Sequence, residues 1–361
     1  MPALTDLSER SQRKLDHLRL APRTRSGQTG FRDITLVHRS LPELALSEID
    51  LTTELGGFHL PYPILINAMT GGVQEAETIN RNLGRLSREL SLPVAVGSQR
   101  AALSNPPLAR TYRVLREANP HGIVLANLGA GASPSEAEDA IAMMSANLLQ
   151  LHLNAPQEIA MMEGDRDFRG QLRAIERVRA HVRIPLIVKE CGFGMSRETA
   201  RQLWDVGVRL IDVAGHGGTN FSRVEYARRP PGGERDPALL DWGIPTAASL
   251  WEVAEARLPG LEVIASGGIR FGSDIAKSVA LGAGLAAMAG TVMRALQEDG
   301  FEGARRQLET VRDDLARTCL LAGARTLRDL RHTPMVIQGA TRSWIDARTR
   351  FFEEHPWGVR S

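Results

Sequence analysis

The chain is expected to adopt an α/β fold, a closed (β/α)8 barrel with additions at both ends. Two observations carry this expectation. Eight short apolar runs alternate with amphipathic helical patterns, and polar or glycine-rich residues follow every run. The length agrees: 361 residues exceed one ordinary core of ~100–200 residues and suit a barrel of ~250 residues with extensions.

The apolar runs are 64–66, 94–96, 123–125, 148–153, 186–188, 210–213, 261–265 and 285–288. Helical patterns between them include 75–90, 171–182, 197–206, 247–256 and 272–281. Strands alternating with helices imply parallel pairing through right-handed crossovers. An open doubly wound sheet would show the same alternation; eight runs, each with a polar end, favour closure. Residues 1–60 read as an N-terminal extension, with a short helical pattern followed by the extended TLVHRSLPEL. The barrel takes 61–322 and a C-terminal extension takes 323–361. Within the barrel, 216–246 reads as a long loop insertion after the sixth strand, rich in glycine, proline and charge (Gly217, Gly218, Pro230, Pro231, Glu234, Arg235). Long loops at that end of a barrel are usually functional.

Composition narrows the function. With 43% hydrophobic and 24% charged residues the chain is globular, which excludes a disordered or fibrous protein. Lysine and arginine number 44 against 42 acids, net +2, so no nucleic-acid partner is expected. Two cysteines, Cys191 and Cys319, cannot form a disulfide framework or a four-thiolate metal site. The N-terminal stretch is polar and lacks the apolar core of a secretory signal. The uncharged stretch 278–293 falls short of the ~18–20 residues of a membrane span. No membrane association and a cytoplasmic location are therefore expected.

The chemistry gathers at the strand ends: NAMTGG at 67–72, GSQR at 97–100, NLGAG at 127–131, HLNAPQE at 152–158, KECGFG at 189–194, AGHGGTN at 214–220, SGGIR at 266–270 and MAGT at 288–291. A barrel brings all of these to one face, where barrel active sites sit. SGGIR and MAGT follow the seventh and eighth strands, the recurrent phosphate position of this fold, and their glycines let backbone N–H groups approach an anion. Gly267, Gly268 and Gly290 could otherwise be plain turn glycines. Gly282-Ala283-Gly284 resembles the start of a dinucleotide fingerprint, but it precedes a strand. Lys189 ends the fifth strand as a cation in the barrel mouth or a snorkelling end residue. Gln150, His152 and Asn154 alternate with leucines and so point inward. Glu158 could hold Mg2+ beside a phosphate or simply favour a helix N-terminus. Arg13-Lys14 is a basic pair that could equally be a solvated helix face, and Cys191, without a base partner in sequence, reads as a packing residue.

The motifs RKLDH at 13–17, LVHRSLPEL at 36–44, NAMTGG, VGSQR at 96–100, QLHLNAPQE at 150–158, VKECGFGMS at 188–196, GHGGTNF at 215–221 and SGGIR occur in this order. Through them the chain resembles the FMN-dependent, type 2 isopentenyl-diphosphate delta-isomerases over roughly residues 10–335. SGGIR is common to flavin-binding barrels; RKLDH, MTGG and HLNAPQE together are specific. The resemblance implies a TIM barrel with FMN at its mouth. FMN would be held by Ala68, Met69, Thr70, Ser98, Asn127, Lys189, Thr219, Gly267, Gly268, Arg270, Ala289 and Gly290. Substrate would meet Arg13, Lys14, Ser98, Gln99, Arg100, His152, Asn154 and Gln157, with Mg2+ on Glu158. His152, Gln157 and Lys189 would be the catalytic side chains, acting beside reduced FMN as acid and base. The implied reaction converts isopentenyl diphosphate to dimethylallyl diphosphate, with NADPH as reductant and a homo-oligomer, tetramer or octamer, as the working form. Ala214 departs from the serine usual before GxGGT, which removes one hydroxyl contact worth ~1 kcal/mol. The competing class is an FMN-dependent 2-hydroxy-acid oxidoreductase, in which His216 would be the base. A dehydrogenase with a cysteine nucleophile after the sixth strand is excluded, since neither cysteine lies there.

Overall fold

The computed structural model describes residues 4–22, 24, 27–230, 232–233 and 235–354. Pro231, Glu234 and the end of the C-terminal extension lie outside them. Eight parallel strands close into a barrel: β1 (Ile64–Ile66), β2 (Val94–Ala95), β3 (Val124–Gly129), β4 (Leu148–His152), β5 (Leu186–Lys189), β6 (Leu210–Asp212), β7 (Glu262–Ala265) and β8 (Leu285–Met288). Each pairs with its neighbours in chain order, and β8 returns to β1 through Ala286–Ile64 and Met288–Ile66. All eight apolar runs are strands of this barrel, and the expected α/β architecture is the one observed.

The two-residue period of each strand divides the core. Inward side chains at the lower end, among them Leu65, Leu125, Leu148, Ile187, Leu210 and Leu285, fill the barrel with apolar packing. The hairpin Thr53–Leu55/Phe58–Leu60 plugs that end with Leu55 and Leu60. Outward residues such as Ile66, Leu149, Leu151, Val188 and Ile211 pack against the surrounding helices. One step above the apolar layer the inward positions become polar, with Asn67, Asn127, Gln150, Lys189, Asp212 and Ser266 all buried. The floor of the mouth is thus polar while the base of the barrel stays apolar.

Local signals explain where helices begin. Ser133 accepts from the Glu136 N–H, with Pro134 in the first turn, and starts Pro134–Met144. Ser196 caps Arg197–Asp205 in the same way. The segment 216–246 differs from the loop expected of it: it holds two helices, Phe221–Arg228 and Pro237–Asp241. Asn220 accepts from the Arg223 N–H and Asp236 from the Ala238 N–H, so each helix has its own N-cap. Of the extended pattern at 35–44, only the start is strand; Ile34–Leu36 pairs antiparallel with Met335–Ile337. The helix Gly339–Glu354 is tied to the barrel by buried Glu252, which accepts from Trp344 Nε1 (2.9 Å) and Arg348 Nε (2.6 Å).

At the other end of the chain, the helix Leu4–Leu20 lies against the mouth of the barrel. Lys14 Nζ donates to the Gly71 carbonyl (2.6 Å), and His17 Nε2 meets Glu225 Oε1 at 2.7 Å. Gln297 Nε2 donates to the Leu18 carbonyl at 3.0 Å.

Candidate active site

A cavity of about 570 Å³ opens at the C-terminal ends of the strands, under the helix Leu4–Leu20. Its walls come from the polar ends of the strands and from that helix.

One side is built from glycine backbone. Gly267 and Gly268 have φ of +100° and +88°, where a side chain is strained. A Cβ on Gly267 would collide with the Gly215 backbone, and one on Gly268 with Gly217. The loops after β6 and β7 therefore pack backbone on backbone. The helix Gly290–Ala322, interrupted at Gly300 (φ 68°, ψ −164°), begins at the same wall. Its first-turn N–H groups have no partner within the helix, and its dipole favours an anion.

Lys189 stands on the inner face of β5, with Nζ 2.7 Å from the Glu190 carbonyl and 3.8 Å from Cys191 Sγ. Burial disfavours its ammonium, but the negative field of Cys191, Asp212 and Glu190 outweighs this, so its pKa lies above the usual lysine value. Asp212 accepts from Asn67 Nδ2 (2.7 Å), Ser266 Oγ (2.5 Å) and the Ala214 N–H (3.1 Å). Burial raises the Asp212 carboxyl and pushes that of Glu190 up to about 8.

The opposite wall carries the basic and amide groups. Lys14 Nζ donates to the carbonyls of Gly71 (2.6 Å) and Ser98 (3.3 Å) and to Tyr112 Oη (3.0 Å). Burial, then the neighbouring Arg13 charge, lowers its pKa to about 7. Arg13 lies 3.5 Å from Glu163. His152 Nδ1 meets Asn127 Oδ1 at 2.9 Å; burial, then Lys189, pushes its pKa down to about 3, so the ring is neutral. Asn154 Nδ2 donates to Glu158 Oε1 (2.7 Å), and the Asp165 N–H to Glu158 Oε2 (3.1 Å). Gln157 Nε2 donates to Glu225 Oε1 (3.1 Å). Burial raises the Glu225 carboxyl, but bonds from His17 and Arg228 outweigh it and leave its pKa low.

Among the residues proposed from sequence, Arg13, Lys14, Ala68, Met69, Thr70, Ser98, Arg100, Asn127, His152, Asn154, Gln157, Glu158, Lys189, Thr219, Gly267, Gly268, Arg270, Ala289 and Gly290 line this one cavity. Gln99 does not. Its side chain is fully buried, with Nε2 on the Ala140 carbonyl (2.9 Å) and Oε1 on the Asn127 N–H (2.9 Å). Helix Arg100–Ser104 begins immediately after it and turns the side chain into the wall. Arg100 reaches the rim, where its guanidinium pairs with Glu136. Cys191 is not plain packing: it lines the cavity beside Lys189, its thiol pushed up to about 11 by burial. His216 is absent from the lining, its Nδ1 turned to the Trp242 carbonyl at 3.0 Å.

Asn67, Tyr112, Asp212 and Glu225 were missed as site residues. Asn67 follows an apolar run as Lys189 does, and Asp212 is the one charged residue inside the run 210–213, so signals of the same kind could have found them. Nothing local marks Tyr112 or Glu225, which reach the site only because two helices pack there.

The chain matches the FMN-dependent dehydrogenase family over residues 115–337. It is 50% identical over 348 residues to an isopentenyl-diphosphate delta-isomerase of Symbiobacterium thermophilum, covering 94% of this chain and 96% of that protein. The isopentenyl-diphosphate delta-isomerase of Moorella thermoacetica is 46% identical over 341 residues, with 94% and 97% covered. A mandelate oxidase structure with (S)-2-phenylpropionate superposes with a TM-score of 0.65 at 19% identity, covering 92% of this chain and 98% of that one, a likeness of fold. The chain thus belongs to the FMN-dependent dehydrogenase family and, within it, to the isopentenyl-diphosphate delta-isomerases.

Proposed function

We propose that this protein converts isopentenyl diphosphate to dimethylallyl diphosphate, using reduced FMN and Mg2+. One observation supports this above all: a glycine cradle, a buried lysine and a wall of anion-binding groups line one cavity. The cradle fits a flavin phosphate, because its glycine backbone lies beside the start of the helix Gly290–Ala322, whose first-turn N–H groups favour an anion. Lys189 would stabilise the anion of reduced FMN, since it keeps its charge in a buried place at the cavity. Ala68, Met69, Thr70, Ser98, Asn127, Thr219, Arg270, Ala289 and Gly290 complete the cofactor wall in this reading.

The reaction shifts one double bond. A proton is added at the terminal alkene carbon and another is removed from the carbon two places along, with no net change in electrons. Reduced FMN, when bound, supplies the acid and base at its ring nitrogens. Arg13, Lys14, Arg100, His152 and Asn154 would hold the diphosphate, and Gln157 would orient the alkene end. Glu158 offers one carboxylate at the cavity and would hold an Mg2+ ion that neutralises the diphosphate charge. NADPH, or a reductant of the same class, would reduce the flavin before turnover. A homo-oligomer, tetramer or octamer, is taken as the working form. We also take the cytoplasm as its location, and 1–60, 61–322 and 323–361 as extension, barrel and extension.

A 2-hydroxy-acid oxidoreductase would need a base over the flavin, and His216 is turned away from the cavity. The test counts electrons. After anaerobic photoreduction, with excess reductant removed, the holoenzyme should convert many equivalents of isopentenyl diphosphate and finish with its flavin still reduced. In heavy water the product should carry solvent deuterium. Conversion that stops at one equivalent per flavin, with the flavin oxidised, would restore the oxidoreductase.

A further inference from the structure

Buried Gln99 accepts from the backbone N–H of Asn127 and so anchors that residue, whose side-chain oxygen meets the ring of His152. Each link has only one possible polarity. The Ala140 carbonyl can only accept, so the Gln99 amide nitrogen faces it at 2.9 Å. The Asn127 N–H can only donate, so Gln99 Oε1 faces it, also at 2.9 Å. The Val96 carbonyl takes Asn127 Nδ2 at 3.0 Å, which leaves Asn127 Oδ1 toward His152 Nδ1 at 2.9 Å. An amide oxygen can only accept, so Nδ1 carries the proton. A neutral imidazole has one N–H, and Nε2 is therefore a bare lone pair. It lies on the side of Gly129, where the missing Cβ leaves space at the cavity wall.

A lone pair facing a diphosphate oxygen is repulsive unless a proton lies between them. We propose that Gln99 and Asn127 are positioning residues that hold His152 in its Nδ1–H form, so that binding of the diphosphate loads one proton onto the contact between His152 Nε2 and a phosphate oxygen. The proposal rests on His152 meeting the diphosphate, as the proposed function has it. No bond other than the proton's changes: the proton comes from solvent and returns when the anion leaves. The groups around the ring agree with this order of events. Lys189 on β5 and Lys14 on the N-terminal helix are the charges that face it, and both oppose protonation before the anion arrives. The Leu128 carbonyl on β3 favours the protonated ring and would steady it afterwards. Without ligand, burial and the two lysines keep the ring neutral. A bound diphosphate reverses the sign of that local field.

The experiment uses the FMN-loaded full chain labelled with 15N-histidine, its His152 signals assigned by their loss in His152→Asn. The probe is inorganic pyrophosphate with Mg2+ at neutral pH. Expected is an unprotonated Nε2 and a protonated Nδ1 in the free holoenzyme, with Nε2 moving into the protonated range on binding. Calorimetry in two buffers of different ionisation enthalpy should show about one proton fewer taken up by His152→Asn than by the parent. Gln99→Met, with its FMN content checked, should let the Asn127 side chain shift, admit the Nε2–H tautomer and lower the proton uptake on pyrophosphate binding. A protonated Nε2 in the free holoenzyme would overturn the proposal and leave the substrate site intact. Pyrophosphate that binds without moving any His152 signal would overturn the placement of the diphosphate, and the proposal with it. A Gln99→Met protein with the parent's ring signals and proton uptake would remove Gln99 as a positioning residue.

Discussion

Single residues at the mouth of the barrel carry opposite electrostatic tasks within a few ångströms. Lys189 keeps its charge because the field of Cys191, Asp212 and Glu190 outweighs its burial, whereas His152 and Lys14 have their charged forms disfavoured. Lys189→Ala should weaken FMN binding by ~1.5–3 kcal/mol, the worth of a charge-assisted contact, and lower the flavin reduction potential. Equilibrium titration and potentiometry would read both, and unchanged values would take Lys189 out of the site. Glu158 has a different part. Glu158→Gln keeps the shape and removes the charge, so FMN should stay bound while the Mg2+ response of activity disappears. A variant that responds to Mg2+ as the parent does would reduce Glu158 to a helix-end acid.

At the scale of elements, the site depends on pieces far apart in the chain. The N-terminal helix brings Arg13, Lys14 and His17 over the strand ends, and Phe221–Arg228 supplies Glu225 beneath it. The C-terminal helix touches none of the cavity and is held by a buried ion pair instead. Arg348→Ala would leave the Glu252 carboxylate, fully buried, without its guanidinium partner, the Trp344 N–H and the Arg197 backbone N–H remaining among the described residues. Breaking such a pair costs ~3–5 kcal/mol, and the partial exposure of Arg348 points to the lower figure. A fall in the urea midpoint with FMN affinity kept is expected; an unchanged midpoint would show that the clamp contributes no stability. These elements were legible to different degrees. Helix 75–90 was read at its observed limits, because its apolar period is strong and Ser91 ends it in a left-handed turn. The two helices inside 216–246 were not, because glycine and proline signals there hid the short capped runs between them.

For the whole molecule, the strands, their parallel order, the polar strand ends and the glycine cradle were all readable in the sequence. The physical reason is periodicity: a strand alternates inward and outward, so a residue type at a strand end reports which face it meets. Asn67 and Asp212 obey the same rule and were within reach of it. Gln99 was not. It lies in the same GSQR motif as Ser98 and Arg100, yet a change of backbone direction at the start of a short helix points it into the wall. His216 likewise sits in a glycine turn whose path alone determines where its ring goes. By itself the sequence determined the barrel, its active face and the kinds of chemical group that gather there. Only the tertiary structure decided which of those groups look into the cavity, which brace their neighbours and which keep a charge. Those outcomes depend on burial and on contacts between residues more than a hundred positions apart, and no local pattern encodes them.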